Sequence, residues 1–180
     1  MKTIPTLLVF ACSLLFFAQN DLSAQVFPAL DKSPADISYY RVNKQPVAKV
    51  IYSRPQKNDR EIFGSLVPYD KVWRTGANEC SEITFYQDVM LGGQEVKAGT
   101  YALFTIPGKE KWTIILNKGT DQWGSYGYDA GEDVLRVEAN AEETPAVVEA
   151  FSIVFSDADQ GSKMVLAWDR TMVSVPVMAK

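Results

Sequence analysis

Runs of residues with a side-chain period of two recur along most of the chain, and turn-forming residues separate them. Residues 100–106 and 112–117 each show this alternation and flank the turn pair Pro107-Gly108, and residues 151–155 show it again. A period of two is typical of β-strands, whereas a helix repeats every 3.6 residues. No sustained helical period follows the N-terminal segment, so the pattern predicts a β-rich protein.

Turn residues at regular intervals favour hairpins between these runs. Asn43-Lys44-Gln45 and Gly92-Gly93 each divide two β-prone segments, as hairpin turns do. Pro176 lacks a backbone donor and predicts that the last strand lies at a sheet edge. We therefore expect an all-β fold: a single β-sandwich or barrel-like domain of about ten short, mainly antiparallel strands, spanning residues 37–180.

One stretch, residues 52–82, is too irregular to be a single strand or helix. It holds Arg54, Arg60 and Arg74 together with a Trp-Arg-Thr-Gly-Ala-Asn run. In a β-sandwich it becomes a long loop between two strands, and long loops in compact domains often carry function.

The N-terminal residues predict export. Lys2 precedes an apolar run, residues 7–17, which is too short for a comfortable membrane span, and Ala24 provides a small residue for cleavage before Gln25. We expect a signal peptide at 1–24, an extended lead-in at 25–36, no membrane span after cleavage, and a periplasmic or extracellular location.

The amino-acid composition excludes several kinds of partner and catalytic site. The 180 residues are 47% hydrophobic and 22% charged, with a net charge of −4, which is globular and argues against nucleic acid as a partner. The absence of histidine excludes Ser-His-Asp catalysis and imidazole metal sites. Cleavage would leave Cys80 as the sole cysteine, which excludes an internal disulfide and favours a small buried side chain. We expect no cofactor and no metal.

Several ordered motifs resemble a known family. They are Tyr52-Ser53-Arg54-Pro55, Arg60-Glu61-Ile62-Phe63-Gly64, Leu66-Val67-Pro68-Tyr69 and Val72-Trp73-Arg74-Thr75-Gly76-Ala77-Asn78-Glu79, with further matches through Asp133-Val134-Leu135-Arg136-Val137. Across about residues 40–177 the chain resembles bacterial domain-of-unknown-function family 2911. The resemblance implies an exported β-rich domain without an established activity, and it supplies no catalytic residues. Asn43 replaces an expected glycine, and Cys80 replaces an expected small residue such as alanine.

Candidate ligand-binding residues come from the 52–82 stretch. Arginine presents a rigid fork to carboxylate, phosphate or sulfate groups, and aromatic rings offer flat surfaces to sugars. The candidates are Tyr52, Arg60, Trp73, Arg74, Asn78 and Glu79. A structural interpretation stands beside this one, because the same side chains could pin an irregular loop through bonds to the main chain.

Two kinds of function stay open at this point. The first is a binding or structural module of the cell envelope, with a small molecule, a glycan or an envelope protein as partner. The alternative is a carboxylate-dependent hydrolase, acting for example on glycosides, with two of Glu61, Asp70 and Glu79 facing one cleft. Binding is the preferred interpretation, and no catalytic residue is assigned.

A second aromatic group and an acidic run also stand out. Trp123, Tyr126 and Tyr128 would form a glycan or peptide platform if exposed, or a hydrophobic plug beneath a loop if buried. Residues 129–133 (DAGED) lack the ligand spacing of a calcium loop, which favours a solvated turn.

Overall fold

The computed structural model describes residues 27–180, and it confirms an all-β fold of antiparallel strands. The predicted signal peptide lies outside the described residues. One turn of 3₁₀ helix occurs at Ala130–Glu132. The strands are β1 (Ala35–Val42), β2 (Gln45–Ser53), β3 (Ser81–Phe85), β4 (Val89–Leu91), β5 (Gln94–Val96), β6 (Gly99–Pro107), β7 (Lys111–Asn117), β8 (Asp133–Asp157) and β9 (Ser162–Ala179).

All nine strands belong to one open sheet with the order β1-β2-β3-β6-β7-β8-β9-β4-β5. Strand β8 joins its two halves, since it pairs with β7 up to Asn140 and with β9 from Ala141 onward. The sheet folds over a shared core, where Tyr40 of β1 stacks on Phe155 of β8 with ring centroids 6.1 Å apart. The second half of β8 therefore covers β1 and β2 in a sandwich-like arrangement.

Strand β8 is longer than the sequence pattern predicts. The alternating run at residues 151–155 is the end of one continuous strand of 25 residues that begins at Asp133. Register shifts between Glu143 and Val148, and again between Val148 and Ser152, interrupt its pairing with β9. Bulges of this kind bend a strand, and they also break the hydrophobic alternation that would reveal its continuity.

Both predicted hairpins are present. Asn43 and Lys44 have φ angles of 51° and 67°, the left-handed pair that a two-residue hairpin turn requires. Gly92 and Gly93 make the corresponding turn between β4 and β5. Asparagine therefore serves at position 43 where glycine was expected, because its short polar side chain tolerates this region.

The prediction that the last strand lies at a sheet edge is wrong. Strand β9 lies between β8 and β4. Pro176 is accommodated because it falls between the final pairing with β8, at Val173, and the first pairing with β4, at Val177. Its carbonyl oxygen still accepts a hydrogen bond from the Gly92 N–H at 2.9 Å.

Aromatic side chains fill the core between the two halves of the sheet. Trp112 and Trp168 are almost completely buried, and Phe151 is fully buried beside them. Each such side chain contributes about 1.5–3 kcal/mol when it leaves water. Within residues 27–180, no helix has the length and apolar character needed to cross a membrane.

Candidate functional site

The long loop between β2 and β3, here called the central loop (residues 54–80), is fixed against the sheet along its length. Isolated β-bridges join Gln56 to Ala150 and Trp73 to Thr105. The Asp70 N–H donates to the Pro107 carbonyl oxygen at 2.8 Å. The loop is irregular, but its backbone bonds to the sheet hold it in place, so its side chains have defined positions.

Arg54 fastens the start of the central loop to β1 and β8. Its Nη1 lies 2.9 Å from the Asp36 carboxylate, its Nε donates to the Phe151 carbonyl oxygen at 3.1 Å, and its Nη2 donates to Ser152 Oγ at 2.8 Å. All three guanidinium nitrogens have partners in the protein. Arg54 therefore has the structural role that the sequence left open for the arginines of this stretch.

Arg60 combines a local structural role with exposure. Its Nε donates to the Lys57 carbonyl oxygen at 2.8 Å and its Nη2 donates to the Gln56 carbonyl oxygen. Lys57 Nζ in turn donates to the Arg60 carbonyl oxygen at 2.8 Å. These bonds close a tight turn and hold the exposed guanidinium at the mouth of a groove.

Trp73 belongs to the core, with 9% of its surface exposed. Its ring lies 4.9 Å from Phe151 at an edge-to-face angle and stacks on Trp168 at 6.0 Å. The indole N–H donates to the Gly76 carbonyl oxygen at 3.1 Å, which satisfies its polar atom. The ring therefore forms the floor of the groove above it and offers no open stacking surface.

Four of the six candidate residues line this one cavity, called the Arg74 groove, with a volume of about 320 Å³. Its walls come from the central loop, the lead-in and β9. The lining residues are Ser33, Pro55, Arg60, Leu66, Val67, Trp73, Arg74, Gly76, Ala77, Asn78 and Trp168. Two arginines and one amide thus face a space whose lining includes no carboxylate.

Arg74 differs from the other two arginines of the loop. Its side chain is half-buried, and its Nε is buried with no hydrogen-bond partner among residues 27–180. Within the same residues no carboxylate lies at ion-pair distance from it. Leaving a guanidinium unpaired in a partly dehydrated position costs free energy, which an anion in the groove would offset.

Asn78 links the Arg74 groove to a second cavity of about 290 Å³, called the Trp123 groove. Asn78 Nδ2 donates to the Asp31 carboxylate at 3.0 Å. The Ser33 N–H and Asn78 both donate to this carboxylate, and they hold the pKa of Asp31 below its usual value. The second groove is lined by Asp31, Ser33, Ala35, Ser53, Asn78, Glu79 and Trp123. Sequence reasoning missed Asp31 and Ser33, because nothing in the lead-in signalled that it crosses the central loop.

Tyr52 and Glu79 do not line the Arg74 groove. Tyr52 is buried against Phe151, with ring centroids 5.8 Å apart, and burial raises its pKa. Tyr52 and Glu79 line a third groove of about 230 Å³, beside Cys80 and Glu82. Burial raises the pKa of the Cys80 thiol to about 11, so the thiol stays protonated at neutral pH.

The carboxylates proposed for hydrolysis do not converge. Of Glu61, Asp70 and Glu79, only Glu79 lines a groove described here. No group of three or more metal-ligating side chains occurs within residues 27–180. In the DAGED run, Asp129 caps the 3₁₀ turn and Asp133 accepts from Arg136 Nε at 2.7 Å, so both have structural roles.

The loop after β7, here called the aromatic loop (residues 118–129), separates the three aromatic residues noted in the sequence. Tyr128 packs edge-on against Phe104 at 5.0 Å, and its hydroxyl donates to Asp133 at 2.8 Å. Trp123 and Tyr126 are instead 60% and 89% exposed. The sequence showed the cluster, but only the fold shows that Tyr128 anchors the loop while the other two face solvent.

A family model described as "Protein of unknown function (DUF2911)" matches residues 33–177. The chain belongs to this family. The matched range contains the whole sheet except its last two residues in β9, together with the central loop and the aromatic loop. Neither a curated protein nor a solved structure matches the chain.

Proposed function

We propose that this DUF2911 protein is a binding module whose Arg74 groove takes a small anionic ligand, with a carboxylate, phosphate or sulfate group. The observation that carries the proposal is Arg74, which lines the groove with Arg60 and Asn78 and whose buried Nε has no hydrogen-bond partner among residues 27–180. In a protein with net charge −4, a groove lined by two arginines and no carboxylate is a local exception.

The chemistry of the lining fits such a ligand. Guanidinium groups recognise carboxylate and phosphate oxygens through paired, charge-assisted hydrogen bonds. Asn78 contributes an amide to the lining, and the aromatic floor at Trp73 and Trp168 excludes water from below. Charge attraction is stronger in a site partly screened from water, so a single anion can bind with useful affinity.

The hydrolase alternative has weaker support. General acid and base catalysis on a glycoside needs two carboxyl groups across one cleft. Glu79 faces grooves that do not include Glu61 or Asp70. It shares the groove beside Tyr52 with Glu82 and Asp121, but Glu82 accepts a hydrogen bond from the Asp121 N–H at 2.7 Å and so ties the aromatic loop to β3. The arrangement favours holding an anion over cleaving a bond.

A thermal-shift screen tests the proposal. The protein is heated with phosphate, sulfate, and mono- and dicarboxylates, and the same series is run on Arg74→Met. A ligand at about a hundred times its Kd stabilises the folded state by about 2.7 kcal/mol, which raises Tm. We expect this rise to disappear in Arg74→Met.

Arg41→Met is the matched control, because it removes the same charge from an exposed arginine that stacks on Tyr39 in β1. It should keep the ligand-induced rise in Tm. If the ligand raises Tm equally in Arg74→Met and Arg41→Met, or if it does not raise Tm in the parent protein, an anion site at Arg74 is contradicted.

Export remains a prediction from residues 1–24. We propose that the mature chain begins at Gln25 and acts in the periplasm or outside the cell. N-terminal sequencing of protein recovered from cell fractions checks this, and a cytoplasmic product that keeps its first 24 residues would contradict it.

A further inference from the structure

The aromatic loop presents two large side chains to solvent next to the Arg74 groove. Trp123 is 60% exposed and Tyr126 is 89% exposed, although a large ring gains free energy by burial. The other three tryptophans, Trp73, Trp112 and Trp168, are buried. An exposed Trp and Tyr separated by two residues on one loop form an apolar patch that is available to a ligand.

This patch is supported from below. Trp123 forms a β-bridge with Glu79, and the Gly124 N–H donates to the Asn78 carbonyl oxygen at 3.0 Å. The Cys80 N–H donates to the Gln122 carbonyl oxygen at 2.9 Å, so the loop is tied to the central loop on both sides of the indole. Rings carried by a fixed backbone lose little conformational freedom when a ligand binds.

Arg74 lies directly beside the patch. A Cβ atom built on Gly124 would lie 3.9 Å from Nη1 of Arg74 and 3.1 Å from a ring carbon of Tyr126. Asn78 lines both the Arg74 groove and the Trp123 groove, which makes the two cavities neighbours. A ligand that covered the rings would therefore reach the unpaired guanidinium.

We propose that the aromatic loop and the Arg74 groove together bind an acidic oligosaccharide, with sugar rings on Trp123 and Tyr126 and an acid group on Arg74. This inference rests on the proposed anion site and names its ligand class. The C–H faces of pyranose rings pack against aromatic side chains, while amides and hydroxyls around them bind the sugar hydroxyl groups. The acid group of a uronic or sulfated sugar supplies the negative charge that would pair with the Arg74 guanidinium.

A glycan suits this surface better than a peptide does. Peptides are commonly recognised by an exposed strand edge or a helix-binding groove, through regularly spaced pockets. The patch lies in a loop outside the strands. The Trp123 groove holds the carboxylates of Asp31 and Glu79, which accept hydrogen bonds from sugar hydroxyl groups, and the neighbouring Arg74 groove supplies the cationic groups. Flat rings beside fixed polar groups match a sugar, which has one apolar face and a polar rim.

Calorimetry with four probes tests the inference. The probes are tetragalacturonate, the same tetramer with its carboxyl groups reduced, monomeric galacturonate, and tetraglutamate. We expect the acidic tetramer to bind at least about tenfold more tightly than the reduced one, a difference of about 1.4 kcal/mol. Because Trp123 is the exposed indole, the bound tetramer should also shield fluorescence from quenching by acrylamide.

Variants separate the contributions of the rings and the charge. Trp123→Ala and Tyr126→Ala should each weaken tetramer binding by about tenfold, whereas Tyr86→Ala, an exposed tyrosine between β3 and β4, should leave it unchanged. Arg74→Met should abolish the preference for the acidic tetramer over the reduced one. Circular dichroism confirms that each variant is folded.

Several outcomes would overturn the inference: no binding of the acidic tetramer, equal binding of tetraglutamate, or an affinity that survives both aromatic substitutions. An acid preference that persists in Arg74→Met would remove Arg74 from the site. If the tetramer fails but small anions bind and depend on Arg74, the proposed anion site stands and only the oligosaccharide is rejected.

Discussion

Arg54 and Arg74 belong to the same loop, but their surroundings are opposite. Arg54 directs its nitrogens to a carboxylate, a carbonyl and a hydroxyl from β1 and β8. In the described part of the chain, the buried Nε of Arg74 has no partner, and the side chain lines a cavity with Arg60 and Asn78. Arg54 therefore fixes the start of the central loop to the sheet, whereas Arg74, later in the loop, carries a positive charge that no described carboxylate pairs with.

The same contrast holds for the tryptophans. Trp73 is held among Phe63, Phe151 and Trp168, whereas Trp123 projects from the aromatic loop. Exposed apolar surface and an unpaired guanidinium both reduce folding stability. Their occurrence side by side is the pattern of a surface retained for binding, where local rules of stability are broken.

Replacing the two tryptophans separates these regions most strongly. Trp73→Ala removes a buried ring and leaves a cavity, so we expect the free energy of unfolding to fall by about 3–5 kcal/mol. Trp123→Ala should change it by less than about 0.5 kcal/mol, because the side chain is exposed. Urea denaturation of both variants measures the difference, and comparable losses would mean that the aromatic loop is part of the core.

The thiol of Cys80, at the end of the central loop, tests how closely the protein packs beneath the aromatic loop. Its pKa of about 11, against 9.0 for a free thiol, implies about a hundredfold less thiolate near neutral pH. We expect a disulfide reagent to react about a hundredfold more slowly with the folded protein than with the urea-unfolded chain.

The same shift in pKa affects stability at high pH. The folded state holds the thiol proton more tightly than the unfolded chain, so this contribution is complete below pH 9.0 and is lost as the pH rises to about 11. Cys80→Ala should remove that part of the pH dependence. A rapidly reacting thiol in the folded protein would place Cys80 in an open cleft.

The two arginines can be compared by the same substitution. Arg54→Met removes the ion pair with Asp36 and the hydrogen bonds to the Phe151 carbonyl oxygen and Ser152 Oγ. We expect a loss of about 1–2 kcal/mol, reduced by the partial exposure of the ion pair. Arg74→Met removes an unpaired charge and should leave stability unchanged or slightly higher. Chemical denaturation measures both, and a larger loss for Arg74→Met would show that this arginine has a structural partner in solution.

Features that depend on residues close together in the chain, such as turns and irregular loops, could be predicted from the sequence. The hairpins at Asn43-Lys44 and Gly92-Gly93 follow from the backbone angles that these residues allow. The central loop was predicted because its glycines and prolines interrupt any regular period. The motifs also indicated the family that the match over residues 33–177 confirms.

Features that depend on distant residues could not be predicted. The three arginines of the central loop look alike in sequence. Arg60 finds its partners inside the loop, whereas Arg54 is bound by Phe151 and Ser152 of β8, almost a hundred positions away. The interior position of β9 depends on its pairing with β4, which no local pattern encodes. Exposure of Trp123 beside the anchored Tyr128 likewise follows from how the folded sheet places the loop.

A substitution at Gly124 has the smallest expected effect on stability, and it tests most directly whether the aromatic loop and the Arg74 groove form one surface. Gly124 has a φ of 68°, where a side chain costs about 1–2 kcal/mol, and its added methyl group would press on Tyr126 at 3.1 Å. We therefore expect Gly124→Ala to lower the free energy of unfolding by about 1 kcal/mol and to weaken ligand binding through displacement of the ring. Gly93→Ala is the matched control, since its φ is also positive but its Cβ would meet no atom within 4 Å. If both variants lose stability but only Gly124→Ala loses binding, the Tyr126 ring and Arg74 act as one surface; equal binding by both would separate the aromatic loop from the groove.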